Sequence, residues 1–192
     1  MLSRARVEEI LKDAGVLLEG HFLLTSGRHS GQYMQCANIL KYPAYAEEIA
    51  KHLAEGFKDD QVDIVIGPAM GGIIIAYELA RQIGCENLFA ERENGKMVLR
   101  RGFTIPKGAR VVVAEDVVTT GGSVREVIDI VKEQGGELVG VAVLVDRSNG
   151  NVDFGTKLVP AYQAEVVSYD ADRCPICNSG IPLVKPGSRK VK

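Results

Sequence analysis

The run VVVAEDVVTTGGS, from Val111 to Ser123, constrains this chain more than any other stretch. Its first four residues are apolar without interruption, and a strand of that kind is buried on both faces, as in a parallel sheet covered by helices. Two adjacent carboxylates follow, Glu115 and Asp116, and then a hydroxyl- and glycine-rich turn that opens a helical pattern from Val124 to Gln134. The order is strand, loop, helix. The start of a helix leaves backbone N–H groups without internal partners, and those donors bind anions. Thr119, Thr120 and Ser123 add hydroxyl donors, while Gly121 and Gly122 let the backbone approach a phosphate closely. The two acids would repel a phosphate, so they face a group rich in hydroxyls or a cation, and a phosphorylated sugar fits both halves. An ordinary strand-to-helix turn, with Thr and Ser as caps and the acids solvated, is the alternative. For TTGGS alone the two are even; the Glu-Asp pair at the end of an apolar strand favours the binding loop. The stretch has neither the Gly-Lys-Ser/Thr of a Walker loop nor the Gly-x-Gly-x-x-Gly spacing of a dinucleotide site.

A chain of 192 residues is long enough to bury its own core, and a single domain spanning 1–192 is expected. With 23 basic and 25 acidic residues the net charge is −2, which provides no electrostatic footprint for nucleic acid or an anionic membrane. No apolar run approaches transmembrane length, and Met1 to Gly20 has a charged helical pattern rather than a signal-peptide core, so the expected compartment is the cytoplasm. Of the four cysteines, Cys36 and Cys85 read as buried packing residues. Cys174-Pro-Ile-Cys177 has the spacing of half a zinc site, but no second pair and no neighbouring His accompanies it in sequence. Completing four ligands would need distant residues or another subunit, and a structural turn, with or without adventitious metal, is the expectation.

Along the chain, Ser3 caps a helix that runs to about Ala14 and stops at Gly15. Val16 to Asn38 has short apolar runs broken by Gly and Ser, which assigns it to small strands and loops of a cap beside the main sheet. Pro43 opens a helix with a core stripe of Ala46, Ile49, Ala50, Leu53 and Phe57, and His52 lies at its boundary. Val62 to Ile66 is a strand, GPAMGG (67–72) a loop, and Ile73 to Ile83 a helix closed by Gly84. This second strand-loop-helix exposes backbone N–H groups suited to a diphosphate. Asn87 to Ala90 is the next strand, and Glu91 to Phe103 is the most charged part of the chain. Asn94-Gly95 signals a hairpin, with Met97, Leu99 and Phe103 alternating with polar positions in an arm standing off the core. Arg92, Lys96, Arg100 and Arg101 make that arm cationic. Solvated charge is the usual explanation of such a run; a mobile loop that brings cations to a bound diphosphate is the other. Leu138 to Val145 is a further apolar strand, ending in Asp146-Arg147, where strand ends of an open sheet meet a ligand. Arg147 can grip a carboxylate there or pair with Asp146 at the surface. Leu158 to Pro160, then Val166 and Val167, close the strand series. In the tail, Asp170 to Lys192, the residues Ile176, Ile181, Leu183 and Val184 suggest an ordered extension on the cap or on a second subunit. The fold class is α/β, a Rossmann-like open parallel sheet flanked by helices, with a small cap from residues 16–38 and possible help from the tail.

An apolar run, two acids, two apolar residues and a Thr/Gly/Ser loop resemble the fingerprint of the type I phosphoribosyltransferases. Gly20, Phe22, Leu24, Ser26, Gly27 and Ser30 fall in the register of the Gly-x-Phe-x-Leu-x-Ser-Gly-x-x-Ser pattern of the orotate branch of that family. Thr25 stands where the enteric members have Lys. The resemblance implies transfer of ribose 5-phosphate from phosphoribosyl diphosphate to orotate, giving orotidine 5'-monophosphate and pyrophosphate on the way to UMP. It implies Mg²⁺ held mainly through the substrate, and a homodimer. Carried over residue by residue, Glu115, Asp116, Val117, Val118, Thr119, Thr120, Gly121, Gly122 and Ser123 bind phosphoribosyl diphosphate, and Thr119 and Arg147 bind orotate. Residues 67–72 match the pyrophosphate loop, with Met70 and Gly71 where some relatives carry a Lys after Tyr. Tyr33 and Met34 fall near the base, or simply pack within a strand. The family loop that closes over the site, often across a dimer, carries Arg-Lys-Glu and then Lys-x-His-Gly. Here only Arg92-Glu93 matches and the His is missing, which leaves Arg92 and Lys96, with Asp116, as the catalytic candidates. A purine in place of orotate and a non-enzymatic sensor of phosphoribosyl diphosphate are the competing functions. A purine offers Arg147 no carboxylate, and the sensor is disfavoured by the intact acids and the lack of a basic face.

Overall fold

A computed structural model describes residues 1–24, 26–165 and 167–186. Thr25, Val166 and the tail beyond 186 lie outside the described residues, and with them one motif position, half of the expected last strand and the most basic end of the tail. Ser3 Oγ accepts the Arg6 amide at 3.2 Å and caps α1 (Arg4–Asp13), which buries Val7, Ile10 and Leu11. The expected cap follows as β1 (Leu17–Leu23) and β2 (His29–Met34), an antiparallel hairpin separate from the main sheet. After the single turn α2 (Ala37–Leu40) comes α3 (Pro43–Ala54), whose Ala46, Ile49, Ala50 and Leu53 form the stripe read from the sequence.

The central sheet is built from β3 (Ile64–Pro68), β4 (Glu86–Glu93), β5 (Lys96–Leu99), β6 (Arg110–Val118), β7 (Glu137–Asp146) and β8 (Leu158–Gln163). Its order is β5-β4-β3-β6-β7-β8, parallel throughout except for β5. Helices α4 (Gly71–Ile83) and α5 (Gly122–Glu133) follow β3 and β6 and cover opposite faces. The α4 residues Ile75, Ala76 and Leu79 share a core with α3, while Val124, Val127 and Val131 of α5 share a second core with Val111 and Val113. Strand order therefore reverses between β3 and β6, and at such a reversal the loops after the two strands diverge and leave a crevice between the two helix N-termini.

Three expectations need correction. The apolar strand does not stop at Ala114: β6 runs through both acids to Val118, because its neighbour β7 continues beside it to the pair Val118 and Asp146. The charged hairpin is not an arm standing off the core. It is the outer edge of the sheet, in register Ala90↔Leu99 to Glu93↔Lys96, with Met97 buried and Leu99 and Phe103 packed against the second core. Its three arginines are paired: Arg92 with Glu126, Arg100 with Glu93 and Arg101 with Glu91. Val167 is 64 % exposed and belongs to no strand, so β8 closes the sheet; it extends three residues beyond Pro160, parallel to β7. Through residue 186 the tail is an ordered extension of the cap. Its β9 (Leu183–Val184) pairs with His21 and Phe22 of β1, and Arg28 and Ser30 of the β1–β2 hairpin bond to Ser168 and Val167.

Candidate active site

The crevice is lined by two loops that touch. The first follows β3, where Gly67, Gly71 and Gly72 allow contacts no side chain would permit. A Cβ on Gly71 would lie 2.2 Å from Asp116 Oδ2, and one on Gly72 would lie 3.2 Å from Glu115 Oε1. The backbone at the head of α4 thus lies directly against both acids. Residues along β6 reach them by a change of side. Val112 and Ala114 pack in one core and Val111 and Val113 in the other, yet Val117 falls in with the first and Val118 with the second. Strict alternation would give the reverse, so the strand turns over at Glu115–Asp116. Glu115 is buried and accepts the Asp116 amide at 3.1 Å, while Asp116 stays half-buried beside the crevice.

The second loop follows β6. Gly121 holds φ +74°, and a Cβ there would meet the Phe154 ring at 2.8 Å, so glycine is required on both counts. A Cβ added at Gly122 would have only Thr120 Oγ1 within 4.0 Å, which leaves open space at the first turn of α5. Thr119 and Thr120 are exposed at this helix head. Arg125, absent from the sequence candidates, projects from the same turn. It stacks on Phe154 at 5.1 Å and donates to the Thr120 and Asp153 carbonyls. Its position two residues past Ser123, within the first helical turn, was the available signal.

Arg147 lies beside this loop, since its amide donates to the Val118 carbonyl at 2.7 Å. The alternative surface pair with Asp146 is absent among the described residues; the buried Asp146 carboxylate accepts the Ser148 amide instead, at 2.8 Å. Arg147 turns its guanidinium toward the cap, 5.7 Å from the Tyr33 ring, and its buried Nε has no hydrogen-bond partner among the described residues. Cap and crevice share one electrostatic neighbourhood. Burial raises the Tyr33 hydroxyl above its ordinary value while Arg147 opposes the shift, and burial, reinforced by Asp116, pushes the Cys36 thiol up to about 12. Met34 is core, so of the two residues expected near a base only Tyr33 faces the site. Of the glycine-serine pattern in the cap, Phe22 and Ser30 are structural: Phe22 is buried under Gly20, and Ser30 Oγ donates to the Val167 carbonyl.

The hairpin lies at the same edge. β4 continues three residues past Ala90, the partner of the last β3 residue, and so carries the Asn94-Gly95 turn about 10 Å beyond the end of β3. Arg92 is held there by Glu126 of α5 at 2.7 Å and by the Gly95 carbonyl. Lys96 lines an open groove with Glu126, Asp129 and Glu133. Glu115, Asp116, the 119–123 loop and Arg147 are brought together; Arg92 and Lys96 lie in the hairpin against α5.

A family model for the phosphoribosyl transferase domain matches residues 35–153. The chain is 58 % identical over 184 residues to the orotate phosphoribosyltransferase of Caldicellulosiruptor saccharolyticus, with 96 % of each chain covered. It is 55 % identical to that of Caldanaerobacter subterraneus over 190 residues, covering 99 % of this chain and all of the other. The solved orotate phosphoribosyltransferase of Aeropyrum pernix superposes with a TM-score of 0.67 at 29 % identity, over 82 % of this chain and 93 % of that one. The chain belongs to the phosphoribosyltransferase family, in its orotate phosphoribosyltransferase branch.

Proposed function

We propose that this chain moves ribose 5-phosphate from phosphoribosyl diphosphate to orotate, with release of pyrophosphate, and that the crevice between β3 and β6 is where it does so. The observation that carries the choice of base is Arg147: a guanidinium with an unpartnered buried Nε, at the end of β7 and beside the head of α5, suits a carboxylated ring. The 5'-phosphate sits on the N–H groups and hydroxyls of Thr119 to Ser123, and this binding fixes the anomeric carbon against the base. Breakage of the anomeric C–O bond builds positive charge on the ribose and negative charge on the departing diphosphate. Asp116 and Glu115 accept from the ribose hydroxyls and lie close to the positive charge, while the backbone of residues 70–72 donates to the diphosphate. The orotate ring nitrogen attacks, and no side chain acts as a covalent nucleophile.

The carboxylate oxygens of Glu115 and Asp116 are the hard donors that Mg²⁺ takes, and Asp116 is only half-buried beside the crevice, so the donor set fits an ion shared with the substrate. Bound there, Mg²⁺ would neutralise charge on the diphosphate. Arg92 and Lys96 are the cations assigned to the leaving group; Arg92 must give up Glu126 to serve it. A homodimer in the cytoplasm completes the proposal, and a light-scattering concentration series showing only monomer would remove the dimer.

The test is to supply Mg²⁺ and phosphoribosyl diphosphate with orotate, uracil, adenine, hypoxanthine or xanthine in turn. Orotate alone should be consumed with matching pyrophosphate, and Arg147→Ala should abolish that. Consumption of a purine, unaffected by Arg147→Ala, would show the purine activity instead, and binding of phosphoribosyl diphosphate with no base consumed would leave a sensor.

A further inference from the structure

The Cys174-Pro-Ile-Cys177 turn lacks partners in its own stretch of sequence, and the fold supplies them. His21 of β1, His29 of β2 and the two cysteines turn one ligand atom each toward a common point, all within 4.8 Å of one another. His21 Nε2 lies 3.0 Å from His29 Nδ1, 3.5 Å from Cys174 Sγ and 3.7 Å from Cys177 Sγ, and Cys177 Sγ lies 3.3 Å from His29 Nδ1. Zinc bonds of about 2.0 Å to nitrogen and about 2.3 Å to sulfur, arranged as a tetrahedron, put two nitrogens about 3.3 Å apart and nitrogen and sulfur about 3.6 Å apart. These four separations fall within about 0.4 Å of those values, and the remaining two are no longer than 4.8 Å.

Hydrogen bonding within the protein does not account for the arrangement. His21 Nδ1 lies 3.2 Å from the Ile181 carbonyl, an oxygen that can only accept, so Nδ1 carries the proton and Nε2 presents a lone pair. One lone pair takes one donor, yet three polar atoms crowd it. A central cation satisfies all four. The Ile181 bond also has the form of the outer contact that fixes a ligating imidazole in its tautomer. His21, His29 and Cys174 are all at least nine-tenths buried, whereas uncharged imidazoles and thiols in a dry site would otherwise cost desolvation.

We propose that His21, His29, Cys174 and Cys177 form a structural zinc site that fastens the tail to the cap. Two thiolates and two imidazoles in a closed tetrahedron select zinc over magnesium or calcium, and four protein ligands leave no open position for chemistry. The site clips together segments 160 residues apart at His21 and Ile181, and a clip across so long a loop limits the unfolded chain most. It is distinct from the Mg²⁺ assigned to the crevice, and it does not depend on which base the enzyme uses.

The test begins with the whole protein, purified without chelator or affinity metal and analysed for elements. About one zinc per chain is expected. Cobalt exchanged into the site should give tetrahedral visible bands and thiolate-to-cobalt absorption. Cys177→Ser, at the most exposed ligand, and His29→Gln should each lose stoichiometric zinc while the far-ultraviolet dichroism stays that of the parent. Removing zinc with a thiol-selective reagent should speed tryptic cleavage of the tail after Arg173 at least tenfold and leave the central sheet intact. Three results would overturn the proposal: no zinc bound after purification and reconstitution, zinc retained in full by both variants, or iron or a Cys174–Cys177 disulfide in place of zinc.

Discussion

Gly71→Ala separates the position of Asp116 from the stability of the fold. The added Cβ would lie 2.2 Å from Asp116 Oδ2, 2.5 Å from Cγ and 2.9 Å from Oδ1, so the whole carboxylate must withdraw by about 1 Å to reach ordinary contact. That carboxylate is the end of a side chain with two rotatable bonds, half-exposed, and it can swing away cheaply. Gly71 is the first residue of α4 and does not need positive φ, so alanine there should gain about 0.5–1 kcal/mol of helix stability. Tm should hold or rise by roughly 2–4 °C. Activity should behave differently: a 1 Å misplacement of a group positioned against the reacting centre costs on the order of a hundredfold, or about 2.7 kcal/mol in kcat/KM. Thermal melts and steady-state kinetics on Gly71→Ala, Asp116→Asn and the double variant provide the assay. If alanine acts only by displacing Asp116, the double variant should be no slower than Asp116→Asn alone. Full activity in Gly71→Ala, or losses that simply multiply in the double variant, would refute the reasoning.

Gly122→Ala has open space in the free protein, so its Tm should be unchanged while KM for phosphoribosyl diphosphate rises; an unaltered KM would mean the phosphate does not approach that backbone. Gly121→Ala combines positive φ with a 2.8 Å clash on Phe154 and should lose about 1–3 kcal/mol, read as a lower denaturant midpoint. Arg147→Lys keeps the charge and loses the two-point grip, so KM for orotate should rise about tenfold or more with KM for phosphoribosyl diphosphate little changed. Cys36 contributes a pH dependence of known sign. Its folded thiol is raised from 9.0 to about 12, so between those values the unfolded chain releases a proton that the folded one keeps. Stability is full below about pH 9 and falls as pH rises toward 12, with a slope of up to about 1.4 kcal/mol per unit from this group; Cys36→Ala should flatten the decline in urea titrations.

The sheet, its helices and the heart of the crevice were legible because each rests on local pattern. Continuous apolar runs at Val111 and Leu138 need two covered faces, and glycine and hydroxyl residues after such a strand need little besides themselves to turn the chain into a helix. Less could be read where two distant segments decide the outcome. The run Val111 to Ala114 gave no sign that β6 would continue through Glu115 and Asp116, since that depends on β7 lying alongside. Arg92 looked like a free cation because Glu126 is remote in sequence and adjacent only in space. The cysteine turn looked half-finished for the same reason: His21 and His29 carry no spacing relative to Cys174, and only the closure of the cap sheet on the tail unites them.

That closure has a consequence for biosynthesis. β1 leaves the ribosome before the central sheet and β9 after it, so the outer edge of β1 stays unpaired while the central sheet is being translated. An open edge of that kind invites pairing with another nascent chain, and the two-residue β9 is a short seal for it. The cap therefore closes after the catalytic sheet, and conditions that starve the cell of the ion fastening it should yield aggregates that begin at β1 while that sheet remains native.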